Sequence, residues 1–286
     1  MNQTKSSVCA VRCGKSIRYR ARKPSNTHPT HASTHSARLT GSAVLVHSGA
    51  REEFRMADPN NPSGALPGDP RHGLSEDELR EYYRTKSPTW IVRGMLNPDG
   101  GIAARESAME PHLAYLRASR DRIRFAGPLI ADDGVTPTGS MTLLDAPDRA
   151  SAEAWLADEP YNKAGAFATV SYTRWSSSME MRQHDYPRTE GWQQFVITAI
   201  DGPDGAARRD AVAEAHHKFQ ASVMDRYVAR GPMFSDDGTQ MIGSLMIMEF
   251  LDRAACDEFW AGEPLNQGGV FSAVAIERWR YGKAIG

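Results

Sequence analysis

The stretch from Val92 to Trp175 recurs from Val196 to Trp279 at a constant offset of 104 residues, the separation of His112 and His216, with no gap. Gly127-Pro128 meets Gly231-Pro232, Asp132-Asp133-Gly134 meets Asp236-Asp237-Gly238, and Gly139-Ser140 meets Gly243-Ser244. Glu159-Pro160 meets Glu263-Pro264, and Arg174-Trp175 meets Arg278-Trp279. Roughly a third of the aligned positions are identical. Solenoid repeats run about 20–50 residues, so this unit is too long to be one. It is long enough to bury a core of its own. The chain therefore reads as two copies of one small domain.

Composition narrows the class. A net charge of −1 gives no basis for a nucleic-acid or membrane-surface partner, and the 40% hydrophobic content is ordinary for a globular chain. No apolar run approaches the roughly 18 residues of a membrane span. Cys9 and Cys13 lie near the start and Cys256 in the second copy, which makes no disulfide framework and points to a reducing cytoplasm. The first 51 residues hold nine Lys or Arg and no Asp or Glu. Residues 1–55 are expected to form a disordered basic tail. Their composition also resembles an organellar transit peptide, and Met56 offers a second plausible start. His28, His31 and His35 have metal-like spacing, but a flexible segment lacks the outer shell that orients ligands.

Residues 56–88 read as a linker and a short helix. Ser75 and Glu78 form a capping box, and the helix should stop before Pro88 and pack on the first repeat. Residues 89–176 and 191–286 read as the two domains, joined by a linker over 177–190. Within each copy the patterns run in the same order. Trp90–Met95 and Trp192–Ala199 are short β-rich runs. Arg105–Arg120 and Arg209–Asp225 have helical spacing, with Val212, His216, Phe219 and Val223 on one face. Ile123–Ile130 and Tyr227–Phe234 run into an Asp-Asp-Gly turn, then Ser140–Leu144 and Ser244–Phe250 follow. Arg149–Ala157 and Arg253–Ala261 are second helices, and Phe167–Trp175 and Phe271–Trp279 are last strands. The order β-α-β-β-α-β is that of a ferredoxin-like fold, in the α+β class. Two helices cover one face of each sheet. The other faces are expected to pack together as a pseudo-dimer within the chain.

Glu110-Pro111-His112-Leu113-Ala114-Tyr115-Leu116, Ala126-Gly127-Pro128-Leu129, Gly139-Ser140, and Glu159-Pro160-Tyr161 with Ala164-Gly165-Ala166-Phe167 resemble the YCII-related domain. The second copy resembles it more loosely. Together they cover about three-fifths of the chain. The resemblance implies a dimeric α/β-barrel arrangement with a His–Asp centred cleft. It also implies lyase, dehydrochlorinase or isomerase chemistry on small cyclic or aromatic compounds. Here the acid before the proline is glutamate in both copies, and Leu265 replaces Tyr161. His217 stands where the first copy has Leu113.

His112 and His216 are the sharpest candidates, because an imidazole beside a carboxylate suits acid–base work near neutral pH. Glu159 or Asp132 could orient His112, and Glu263 or Asp236 could orient His216. The aspartates also fit a plain hairpin turn with glycine at positive φ. Ser140, Tyr161 and Ser244 are candidate ligand-binding residues. No motif calls for a cofactor or metal, and a small molecule is the expected partner. The main functional reading is a cofactor-independent enzyme. The alternatives are a non-catalytic binding protein and a structural protein with vestigial sites.

Overall fold

The computed structural model describes residues 60–285, apart from 64, 66–69, 87 and 180. The expectations for the tail, for a start at Met56 and for His28, His31 and His35 lie outside the described residues. Helix α1 spans Glu76–Thr85 and carries the Ser75–Glu78 capping box. The first repeat follows as β1 (Thr89–Leu96), α2 (Gly101–Ser107), α3 (Met109–Ala118), β2 (Ile123–Ile130), β3 (Pro137–Asp145), α4 (Arg149–Asp158), α5 (Pro160–Lys163) and β4 (Phe167–Trp175). The second comprises β5 (Gln193–Asp201), α6 (Gly205–Ser222), β6 (Tyr227–Phe234), β7 (Met241–Phe250), α7 (Arg253–Gly262), α8 (Pro264–Gln267) and β8 (Phe271–Trp279). The long first helix expected in both copies is continuous in α6 but divided into α2 and α3. Pro111 explains the break: it has no N–H to give the preceding turn, whereas the second copy has Ala215 there.

All strand pairs are antiparallel, in the orders β4-β1-β3-β2 and β8-β5-β7-β6. The two sheets do more than face each other. They join at both edges, β2 to β8 through Leu129–Trp279 and Ile130–Arg278, and β4 to β6 through Arg174–Phe234 and Trp175–Met233. The result is a closed barrel of eight strands. Side chains alternate across a strand. Ile91 therefore joins the barrel core shared by both repeats, while its neighbours Trp90 and Val92 face the helices of the first.

The repeated motifs serve this closure. A Cβ on Gly127 would lie 1.9 Å from the carbonyl oxygen of Arg280 and 2.9 Å from the Trp279 ring. One on Gly231 would lie 1.9 Å from the carbonyl of Ser176 and 3.1 Å from Trp175. Glycine is required because the other repeat's chain passes directly over it. The Asp-Asp-Gly turns complete a reciprocal clasp, with Arg278 donating to the carbonyl of Asp132 and Arg174 reaching that of Asp236.

The segment between the repeats is built into the fold. Gln183 is buried, accepts from the Ala126 N–H and donates to the Gly282 carbonyl, while Tyr186 packs against the barrel core. Helix α1 was expected on the first repeat, and Arg174 of β4 does donate to its Arg84 carbonyl at 2.8 Å, but the helix also reaches the second. Arg80 pairs with Asp210 of α6 at 3.2 Å, and Glu76 lies 3.5 Å from His217 Nδ1. The contact with Glu76 gives His217 a neighbour on α1. Burial, with His216 nearby, holds the His217 imidazole below its ordinary value, Glu76 opposing and Arg230 adding to the depression. The native state thus favours the neutral ring. The associated stability is intact above pH about 6.5 and falls as the pH drops below it. His217→Leu should lessen the acid-side loss of melting temperature between about pH 7 and pH 5. An identical pH profile in variant and parent would show that this histidine is not linked to folding.

Candidate active site

His112 lies one turn into α3, after the Pro111 break, and faces the start of α5. Glu159 is the residue that caps α5: one carboxylate oxygen accepts from the Asn162 N–H at 3.0 Å. The other oxygen is 2.5 Å from His112 Nδ1. The Glu159 side chain is 3% exposed and that of His112 15%. A buried carboxylate pinned by a helix N-terminus therefore fixes the imidazole ring. It accepts Nδ1–H, which leaves Nε2 with a free lone pair in the neutral ring. Tyr161 stacks on His112, ring centres 3.7 Å apart and planes within 8°. Burial pushes the Tyr161 phenol up, although Arg105 pulls the other way.

A shallow cleft opens beside this pair. It is lined by Val92, Gly94, His112, Leu116, Ser140 and Phe167, among others; its enclosed volume is about 20 Å³ and the rest of it opens to solvent. Gly94 makes room for the Phe167 ring, which a Cβ would approach to 2.6 Å. Ser140 lines this cleft and accepts a hydrogen bond from Arg105 at 2.8 Å. The Arg105 guanidinium lies 4.5 Å from the centre of the Tyr161 ring.

The second repeat rebuilds the pair and alters its surroundings. His216 Nδ1 is 2.6 Å from Glu263, whose other oxygen accepts from the Asn266 N–H. Ser244 accepts from Arg209 at 3.0 Å. Leu265 replaces the stacking tyrosine, and His216 tilts against His217 instead. Thr198 and Met246 stand where the first cleft has Gly94 and Thr142, and Phe259 where it has Trp155.

Asp132 and Asp236 are corrected as partners of the histidines. Both belong to the exposed turns that clasp the other repeat, Asp236 pairing with Arg149 at 2.7 Å and Asp132 lying 3.8 Å from Arg253. The hairpins carry them to the repeat junction, while the glutamates begin short helices packed beside α3 and α6. The adjacent Asp133 and Asp237 supply the turn itself. Hydroxyl and backbone hydrogen bonds hold each carboxyl down to about 2. Arg105 and Arg209 were not among the expected site residues, although they too recur at the common offset. Among the described residues no group of three or more His, Cys, Asp or Glu gathers as a metal site. No described helix is long and apolar enough to cross a membrane.

Comparison with known proteins agrees with the repeat. The chain is similar to 5-chloro-2-hydroxyhydroquinone dehydrochlorinase from Burkholderia phenoliruptrix, solved with 2,5-dihydroxybenzoquinone, at 28% identity over 32% of this chain and 96% of that one, with a TM-score of 0.30. A mutant chlorite dismutase from Candidatus Nitrospira defluvii matches at 11% identity over 71% of this chain and 95% of that one, with a TM-score of 0.48. An anthrone oxidase-like protein matches at 9% identity over 70% and 93%, with a TM-score of 0.43. No curated protein matches the chain. The YCII-related domain matches twice, over residues 91–176 and 193–280, and the chain therefore belongs to the YCII-related domain family.

Proposed function

We propose that the first repeat is a small-molecule enzyme site in which His112, oriented by Glu159, transfers a proton on a small cyclic or aromatic compound. The supporting observation is the buried 2.5 Å contact between His112 Nδ1 and Glu159 at the edge of an open cleft. Glu159 fixes the tautomer and stabilises the imidazolium once it forms. Nε2 accepts a proton from a carbon next to a carbonyl. The C–H bonding pair moves toward that carbonyl as an enolate, or onward to expel an anion such as chloride. The imidazolium returns the proton to carbon in an isomerisation, or to the departing group in an elimination. These are the lyase, dehydrochlorinase and isomerase outcomes, and the step needs no group beyond the side chains named. The apolar lining from Val92, Leu116 and Phe167 suits a ring.

The test is turnover of small cyclic ketones and halogenated quinols in D₂O. In an isomerisation deuterium should appear in product at the carbon that His112 serves, and in an elimination a substrate deuterated at that carbon should react more slowly. Glu159→Gln keeps the side chain's length and its acceptor for the Asn162 N–H but removes the negative charge. It should lower the rate about tenfold or more. Native turnover in that variant would sink the pair as a catalytic unit.

A further inference from the structure

The two sites differ in how their arginine is partnered. In the second repeat Asp201 neutralises Arg209 with two hydrogen bonds, at 2.6 and 2.8 Å. The corresponding residue of the first repeat is Asn97, whose side-chain oxygen accepts from the Asp99 N–H. Arg105 thus keeps its serine and its aromatic neighbour but has lost the carboxylate. Glu159 is near, but its two oxygens are committed to His112 and to the Asn162 N–H. A second cation, the exposed Arg280, is close enough to act on Arg105, and Ser176 stands at its place in the other copy. Burial disfavours the charged form of Arg105, yet a guanidinium does not give up its proton in a protein. A half-buried cation with spare donors is therefore one hydrogen bond, through Ser140, from the cleft that His112 lines.

We propose that the first site binds anionic ring compounds, with Arg105 gripping a carboxylate or phenolate while the ring lies on the apolar lining, and that the second site has lost this capacity because Asp201 occupies Arg209. The proposal rests on the reading of the first cleft as the working site and adds the charge of its ligand. A guanidinium presents two parallel N–H donors that match a carboxylate, and charge-assisted bonds of this kind are about twice as strong as neutral ones. A neutral ligand in the same cleft would leave Arg105 half-desolvated with no carboxylate or phenolate against it. In catalysis the same cation would stabilise an enolate or phenolate as it develops.

The probe is benzoate, with benzamide as its neutral counterpart, titrated into the full chain by calorimetry. Benzoate should bind at one site and benzamide about tenfold more weakly or not at all. Asn97→Asp installs the carboxylate of the second repeat beside Arg105 and should weaken benzoate about tenfold or more without touching His112 or Glu159. Arg105→Gln, which keeps a donor for Ser140, should do the same, so the result does not hang on one variant folding well. Equal affinities for benzoate and benzamide, no benzoate binding to the native chain, or native benzoate affinity in both variants would each overturn the proposal. Any of these would leave the proton-transfer reading to stand or fall on deuterium incorporation and the Glu159→Gln rate.

Discussion

Replacing His112 by Asn should lower turnover about 10²–10⁴-fold while leaving the melting temperature nearly unchanged. Asn can still offer a hydrogen bond toward Glu159, so the buried carboxylate is not stranded, but it cannot carry a proton. His216→Asn should cost far less. The second pair has similar geometry, 2.6 against 2.5 Å, yet Thr198 and Met246 replace Gly94 and Thr142 beside it and its arginine is paired with Asp201. Rates measured on one substrate for both variants decide the matter. Near-native activity in His112→Asn would leave that histidine a structural residue. A larger loss in His216→Asn would move the chemistry to the second repeat.

The largest expected effect on stability belongs to Trp175. It is 1% exposed, ends β4 at the seam with β6, and donates its indole N–H to the Gly231 carbonyl at 3.0 Å. Trp175→Ala should cost about 3–5 kcal/mol, because it opens a cavity in the core that both repeats share and removes a hydrogen bond to that carbonyl. Urea unfolding should show the loss as a single shifted transition, since neither repeat keeps the barrel interior covered without the other. Two separate transitions would show that the repeats unfold independently. A cost below about 1 kcal/mol would mean that the seam relaxes around the hole.

Much of this was legible from residue order. The offset of 104 residues identified paired domains, and the β-α-β-β-α-β succession gave each its fold. The same comparison singled out His112 and His216. It could not choose between Glu159 and Asp132, because position along the chain does not say which loop reaches the helix. The choice is made by the short helix after Glu-Pro, whose first N–H groups turn the glutamate inward. Gly127 and Gly231 recur at the common offset, but the reason for them lies in the opposite repeat, where Arg280 and Ser176 cross. Barrel closure and the contacts of α1 with α6 likewise join distant segments, which periodicity within one segment cannot report. The arginines were the avoidable omission: Arg105 and Arg209 recur, and the exchange of Asn97 for Asp201 is visible in the same comparison.

That exchange depends on the covalent join between the halves. In a dimer of identical chains every substitution is made twice, so a change that fills or neutralises one pocket does the same to its twin. Here Gln183 and Tyr186 of the connecting segment are themselves part of the packed interior, and each half is encoded separately. One half can accumulate bulky or compensating residues and act as a rigid buttress, while the other stays open. Selection on the ligand then acts on one pocket alone, and drift in the second is limited mainly by its duty to hold the seam.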